Sequence, residues 1–314
     1  MIGGWALLLL VLAGVSALPF AVRWYNVQAL SAAIRCPPAG TPRVGFDVYE
    51  RHEARAGASK PPAGARVAHR LTGWFGYDAL GRSLFYRVQA ATLVSLAIGL
   101  AAAGVAVIVG TLWGAVSALV GGRVDLVMMR VVDLLYGLPY VLMVILLRTA
   151  LARPLDWLFG RNAVAGNLAL LFLAIGGVSW LTVARVVRGQ VLSLRTRGFV
   201  DAARAAGAGR WHVLRWHILP NLVGPVVVCA TMVVPQAVLQ ESFLSFLGIG
   251  IRPPMPSLGR LAADGVEAVN AFVSYWWLLA FPCGVLVVML LALTLIGDGI
   301  RDALDPKSRA APIV

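Results

Sequence analysis

From Gln89 to Gly122 the chain carries no charged side chain. A helix needs only about 20 predominantly apolar residues to cross the hydrocarbon core of a bilayer, so this stretch spans one with length to spare. A soluble α/β domain with a large core is also apolar, but it does not carry uncharged runs of this length. Composition points the same way. Of 314 residues, 60% are hydrophobic and only 13% charged, against about 25% charged in a soluble domain. Much of the surface must therefore face hydrocarbon, and every backbone polar group there must be satisfied within the chain, which favours helices. The expected fold is an all-α membrane protein with about six transmembrane helices.

A formal net charge of +13 raises the question of nucleic acid. The aromatic residues answer it: they lie inside the apolar runs rather than among the arginines, where they would serve as stacking platforms. Basic loops beside apolar helices instead fit membrane topology and anionic lipid headgroups. Cys36, Cys229 and Cys283 are far apart and form no CxxC pair, so neither a zinc ribbon nor a disulfide framework is indicated. Cys229 and Cys283 read as small packing residues within apolar runs.

The first apolar stretch, Trp5–Val22, has the look of a signal-peptide core, with small residues near Ser16 and Ala17, but no basic residue precedes it. It is read as an uncleaved first span, residues 1–22. Residues 23–87 are polar, basic and rich in proline, and are read as an extracytoplasmic segment. A transmembrane domain follows over 88–300. Its second span is Thr92–Val120 and its third Leu126–Leu147, bent but not ended by Pro139, with Arg130 placed to pair with Asp133 one turn on. Leu151–Arg161 reads as a short loop, Ala163–Ala184 as the fourth span and 185–221 as a long polar connection. The fifth span is Leu222–Leu247, then a loop Gly248–Val266, the sixth span Tyr275–Ile296, and a tail closing with 301–314. Arg185, Arg188, Arg195, Arg197, Arg204, Arg210 and Arg215 crowd the 185–221 connection, opposed only by Asp201. Placing that connection and the tail in the cytoplasm puts both termini inside. The basic 23–87 segment then lies outside, where the charge rule weakens for loops beyond about 60 residues.

Within 185–221, Val200–Ala206 is alanine-rich and favours helix. Gly207 can take the positive φ that stops a helix and turns the chain. Trp211–Ile218 then forms a second short amphipathic helix, ended by the restriction Pro220 places on Leu219. Two short helices joined at a glycine make a compact knob whose small alanines can enter a groove of another protein. Physics alone leaves a second reading open, an amphipathic hairpin lying on the headgroups.

The stretch Asp201-Ala-Ala-Arg-Ala-Ala-Gly207 with Leu219-Pro220 resembles the EAA signature of importer permeases of the ATP-binding cassette superfamily, with Asp for the usual Glu. Other segments extend the resemblance to the dipeptide, oligopeptide and nickel permeases over about Trp74–Arg309. They are Gly76–Arg82, Asp125 with Met129–Asp133 and Pro139, Arg188-Gly-Gln190, Ser245–Gly248 with Pro253-Pro254 and Pro256-Ser257, and Gly297–Pro306. Tyr77 stands where the family usually has Thr, and the region before Trp74 departs from the pattern. The resemblance implies a type I ABC importer permease fold. It implies a coupling role for Asp201, Ala202, Ala203, Gly207, Leu219 and Pro220 against an ATP-binding subunit. It also implies a homologous second permease, two ATP-binding subunits and an extracytoplasmic substrate-binding protein as partners, in a bacterial or archaeal cytoplasmic membrane.

Gln236, Gln240 and Glu241 are ionisable or polar groups toward the outer end of the fifth span, and an ionisable group at membrane depth is a functional candidate by default. A pathway-lining role and a packing or gate role both fit them. His212 and His217, five apart, do not share a helical face and have no carboxylate beside them, and His52-Glu53 lacks the second histidine of a zinc-protease helix. No metal site is expected. The only lysines, Lys60 and Lys307, do not follow glycine as a phosphate-binding loop requires. No enzyme activity and no cofactor of its own are therefore expected, ATP and Mg being held by partner subunits. The expected function is translocation of di- or oligopeptides by alternating access. A nickel-chelate permease of the same family is the alternative, and an ion-gradient-driven secondary transporter the rival of another class.

Overall fold

The computed structural model describes residues 75–78, 82–159, 163–251, 255–269 and 275–304. The expected first span Trp5–Val22, most of the 23–87 segment, Cys36, Pro253-Pro254 and the tail beyond Leu304 lie outside the described residues. Apart from an isolated antiparallel bridge between Tyr77 and Ser83, the described elements are helical. They are α1 (Leu84–Val120), α2 (Gly122–Tyr136), α3 (Tyr140–Phe159), α4 (Ala163–Leu194), α5 (Gly198–Ala205), α6 (Arg210–Val213), a π-turn (Leu214–Ile218), α7 (Leu219–Phe246), α8 (Leu258–Glu267) and α9 (Trp276–Leu304).

Among the described residues, four helical stretches are long and apolar enough to cross a membrane: α1, most of α4, the continuous Arg210–Phe246 and α9. A fifth candidate is the α2–α3 pair, bent by 104°. Spans two to six of the sequence reading thus all have counterparts. At 37 residues, α1 is about 55 Å long, well beyond the roughly 30 Å of hydrocarbon, so it projects from the bilayer. Gly121 (φ 69°) and Gly122 (φ 58°) provide the positive φ that turns the chain from α1 into α2.

The chain divides into two compact units. In the first, formed by 97–241 and the chain from Leu290 on, small residues let helices approach. A Cβ on Gly114 would lie 2.4 Å from the Ala184 carbonyl oxygen, and one on Gly110 would lie 2.5 Å from Val183 Cβ. This is how membrane helices pack when no hydrophobic effect separates helix from lipid. Ala103, Ala106, Ala115 and Ala118 of α1 share a core with Val183, Val187 and Val191 of α4 and with Cys229 and Val233 of α7. Leu155 of α3 packs on Ala169 and Leu170 of α4.

In the second unit, Phe75 stacks on Phe281 at 4.1 Å between centroids. Arg87, buried, donates to Asp78 at 2.6 Å and lies 3.7 Å from Asp264. Burial pushes the Asp264 carboxyl up from its ordinary value, with Arg87 and Arg260 opposing the shift. α8 starts at Ser257, whose hydroxyl accepts from the Arg260 N–H as an N-cap should. It packs so closely on the last turns of α7 that a Cβ on Gly259 would sit 1.8 Å from the Ser242 carbonyl oxygen.

Several expected boundaries are corrected. The third span is not merely bent at Pro139. It ends at Tyr136 and resumes at Tyr140, because Pro139 lacks an N–H and its ring opposes the carbonyl four residues back. Leu151–Arg161 is not a loop: α3 continues through Pro154 to Phe159, its end held by the Leu155 contact with α4. The 185–221 connection is helical at both ends, since α4 runs to Leu194 and α7 starts at Leu219. The Gly248–Val266 loop contains most of α8, and α9 continues past Ile296 to Leu304. Asp133 pairs with Arg185 of α4 rather than with Arg130.

Candidate functional site

α4 leaves the first unit's core at Leu194, and after a three-residue turn α5 carries Asp201, Ala202 and Ala203. Its end is a Schellman motif: Ala208 N–H donates to the Ala203 carbonyl at 3.0 Å and Gly207 N–H to Arg204 at 2.9 Å. Gly207 sits at φ 85° with nothing within 4 Å of a notional Cβ. Backbone conformation, not crowding, therefore reserves the position for glycine, since a left-handed residue with a Cβ costs roughly 1–2 kcal/mol. The turn expected at Gly207 is the turn observed.

The second short helix does not end at Pro220. α6 passes through the π-turn directly into α7, and Leu219 is helical at φ −56°, ψ −43°. The π-turn accommodates the proline. Leu219 N–H bonds to Leu214, five residues back, which widens the ring of backbone that Pro220 would otherwise strike. Asn221 Nδ2 donates to the His217 carbonyl at 2.7 Å, satisfying one of the oxygens in this irregular turn. Wider winding has a second effect. His212 and His217 lie with ring centroids 6.1 Å apart, on the same side of the hairpin, where a regular helix would separate residues five apart.

The hairpin has two unlike faces. Val200, Val213, Leu214 and Ile218 are buried in the core built by α1, α4 and α7. Asp201, Ala202 and Gly207 are exposed, Ala203 and Leu219 half-buried, and Pro220 exposed. Ala202, Ala203, Ala206, Gly207, His212 and His217 border an open concavity on the exposed side. Asp201 meets Arg204 at 3.6 Å, both well exposed. Trp211 and Trp216 are 63% and 62% exposed beside Arg210 and Arg215. Such a surface, small residues around a hollow with aromatic and basic residues at its margin, suits docking of another macromolecule.

The second set of expected residues separates. Gln236 is exposed, whereas Glu241 is fully buried. Gln240 Oε1 accepts hydrogen bonds from Tyr140 Oη at 2.9 Å and Ser179 Oγ at 3.2 Å. It thereby joins α7 to the first residue of α3 and to the middle of α4. Sequence reading missed Tyr140 and Ser179, whose partner lies 100 and 61 residues away. It also missed that Asp125 and Arg188, each inside a recognised segment, bind one another. Among the described residues, no group of histidine, cysteine or carboxylate side chains could hold a metal ion.

Residues 106–310, the hairpin between α4 and α7 included, match the family model described as the binding-protein-dependent transport system inner membrane component. The chain belongs to that family. Among its relatives, the oligopeptide transport system permease protein OppC of Escherichia coli K12 is 48% identical over 75% of this chain and 73% of its own. OppC of Haemophilus influenzae is 44% identical over 75% and 71%, and the dipeptide transport system permease protein DppC of Bacillus subtilis 39% over 75% and 69%. The membrane chain also aligns with a solved structure of the MetNI methionine ABC transporter in an inward-facing conformation. The TM-score is 0.56 at 18% identity, covering 71% of this chain and 98% of that one. The likeness establishes the fold, that of type I ABC importer permeases. In this family member the irregular connection between α4 and α7 is therefore a structured hairpin of the transport domain, not a surface loop.

Proposed function

We propose that this chain is one of two permease subunits of a bacterial or archaeal ATP-driven peptide importer. Each permease rests on an ATP-binding subunit, and an extracytoplasmic binding protein supplies the substrate. The 88–300 domain carries the pathway, the hairpin between α4 and α7 faces the cytoplasm with both termini, and ATP is hydrolysed in the partner subunits. One observation carries the reading: a two-helix hairpin turned at a positive-φ glycine, locked into the helix core by four buried apolar side chains and open on its other face. Force applied to the open face has no soft joint through which to dissipate before it reaches α4 and α7. Movement of the ATP-binding subunits is thus converted into rearrangement of the helices, and the pathway alternates between its two states as their relative free energies change. Peptide cargo is favoured over nickel chelates because the named relatives above carry oligopeptide and dipeptide systems in their names.

Gly207→Leu tests the proposal. The residue has open space, so the subunit still inserts and assembles, but the turn must be rebuilt at about 1–2 kcal/mol. Peptide uptake in reconstituted vesicles is expected to collapse while the partners continue to hydrolyse ATP. Gly207→Asn, which tolerates the left-handed region better, should retain more transport than Gly207→Leu. Normal uptake in the leucine variant would count against the coupling role, and failure of the purified complex to contain a nucleotide-hydrolysing subunit would count against the importer.

A further inference from the structure

Val132 is the one buried residue that α2 contributes, while Leu126, Val127 and Leu134 are 62%, 60% and 72% exposed. Apolar packing therefore does little to fix this helix to the unit it belongs to. Polar contacts do it instead. Both carboxylate oxygens of Asp125 accept from Arg188, Oδ1 from Nε and Oδ2 from Nη2, each at 2.6 Å, and the Ser117 hydroxyl donates to the same carboxylate. Two turns along α2, Asp133 Oδ1 accepts from Arg185 Nη2 at 2.9 Å. The Arg185 guanidinium also lies 4.1 Å over the Tyr136 ring. Trp113 Nε1 of α1 donates to the Met128 carbonyl of α2 at 3.3 Å, and Arg195 donates to the Ala118 carbonyl, tying the end of α4 to α1.

Two ion pairs separated by about 12 Å along α2 fix it against rotation about either one, and a bidentate arginine–carboxylate pair is directional as well as strong. Both arginines stand on the last turns of α4, which continues through Arg195–Arg197 into the hairpin. At its other end α2 stops at the Gly137–Pro139 break, and beyond the break the Tyr140 hydroxyl meets Gln240. α3 is tied to the same helix, since Leu155 packs on Ala169 and Leu170, and a Cβ on Gly177 would lie 2.5 Å from Leu147 Cδ2.

We infer that Arg188–Asp125 and Arg185–Asp133 form a transmission clamp. They make the bent α2–α3 pair travel with α4, so that a displacement of the hairpin arrives at the Gly137–Pro139 break and at the Tyr140–Gln240 contact. The four charged side chains are positioning residues of the transport cycle. The inference rests on the coupling role proposed above and names the route by which that coupling reaches the α2–α3 pair.

A double replacement separates transmission from mere support. Replacing a partly buried ion pair by apolar side chains of similar size leaves no unpaired charge and is often neutral for folding. Arg188→Met with Asp125→Leu should therefore assemble with its partner subunits. ATP hydrolysis and accumulation of a radiolabelled alanine peptide mixture, dipeptide to pentapeptide, are measured in the same proteoliposomes. The double variant is expected to lose about ten-fold or more in peptide transported per ATP hydrolysed, and Arg188→Lys, which keeps the charge but not the fork, to lose less. Wild-type coupling in the double variant overturns the clamp. A second measurement needs no change to the pairs: spin labels at Leu134→Cys and Ser193→Cys, in a chain lacking Cys36, Cys229 and Cys283, report the α2–α4 separation. It stays constant between the nucleotide-free and ATP-trapped states if the helices move together, and a change of separation overturns the inference. Absence of any ATP-driven peptide uptake by the wild type would instead bring down the importer reading on which the clamp rests.

Discussion

The hairpin between α4 and α7 and the helix α2 are held to the same helix by opposite means. The hairpin inserts Val200, Val213, Leu214 and Ile218 into a continuous apolar core, a grip made of many weak, non-directional contacts. α2 buries Val132 alone and is held by two arginines. An apolar grip tolerates sliding by fractions of an ångström and resists detachment, because removing any one side chain leaves the others. An ionic grip fixes register through a few directional contacts, so that each substitution removes a large part of it. The division suits the roles proposed for the two regions. The hairpin must survive repeated pushing at its open face. α2 must follow faithfully at a fixed register while offering a largely unembedded face.

The largest effect is expected from placing a charge within the apolar grip. Ile218→Asp puts a carboxylate at a fully buried position within the apolar core. An uncompensated buried charge costs about 3–5 kcal/mol, enough to detach the hairpin from α1, α4 and α7. Size-exclusion chromatography of the solubilised complex should then show this chain without its ATP-binding partners, whatever the state of the remaining helices. A complex of normal composition would mean that the apolar face is not what secures the hairpin.

The two regions also differ in how far the amino-acid sequence alone discloses them. Spans two to six, the hairpin and the turn at Gly207 could be read because their determinants are local: uncharged runs, an alanine-rich stretch, a glycine at the right offset. Local rules failed where neighbouring helices overrode them. Pro220 does not stop the second hairpin helix, because a π-turn and the Asn221 side chain absorb the irregularity. Pro154 does not end α3, because Leu155 is packed on α4. Arg130 stood three residues from Asp133, but the carboxylate chose Arg185, 52 residues away. The α2 attachment was hidden for the same reason. Asp125 and Arg188 each belonged to a recognisable segment, yet nothing in the spacing of 63 residues says that they meet. The role proposed for the hairpin leans on the likeness to known permeases, because its residues alone fit a protein groove and a headgroup layer equally well.

A smaller effect should follow from Tyr140→Phe. Gln240 would lose the 2.9 Å bond and keep the one from Ser179, and no buried charge is left behind. Interhelical hydrogen bonds of this kind contribute about 0.5–1 kcal/mol. Thermal unfolding of the purified complex should shift accordingly by a few degrees at most, while the rate of peptide uptake falls more visibly, since the bond sits where the bent pair meets α7. If stability falls and uptake does not, the contact is packing only, and the contrast between a supporting region and a transmitting region loses its far end.

The smallest effect separates ion pairs by their surroundings rather than by their geometry. Arg204 and Asp201 lie within 3.6 Å of each other on the hairpin's open face, with side chains 45% and 67% exposed, whereas Arg188 and Asp125 of the clamp are 33% and 14% exposed, and Arg185–Asp133, at 37% and 56%, lies between the two. In water the attraction is offset by the entropy of ordering two flexible side chains, and such pairs contribute about 0–1 kcal/mol. Arg204→Ala in the isolated permease should therefore leave thermal stability within about 0.5 kcal/mol of wild type, and what difference there is should shrink as salt is raised. At Arg188 the same substitution removes the bidentate pair that fixes α2 to α4. A marked loss of stability at Arg204 would show that the hairpin is ionically held after all, and that the two regions are fastened in the same way.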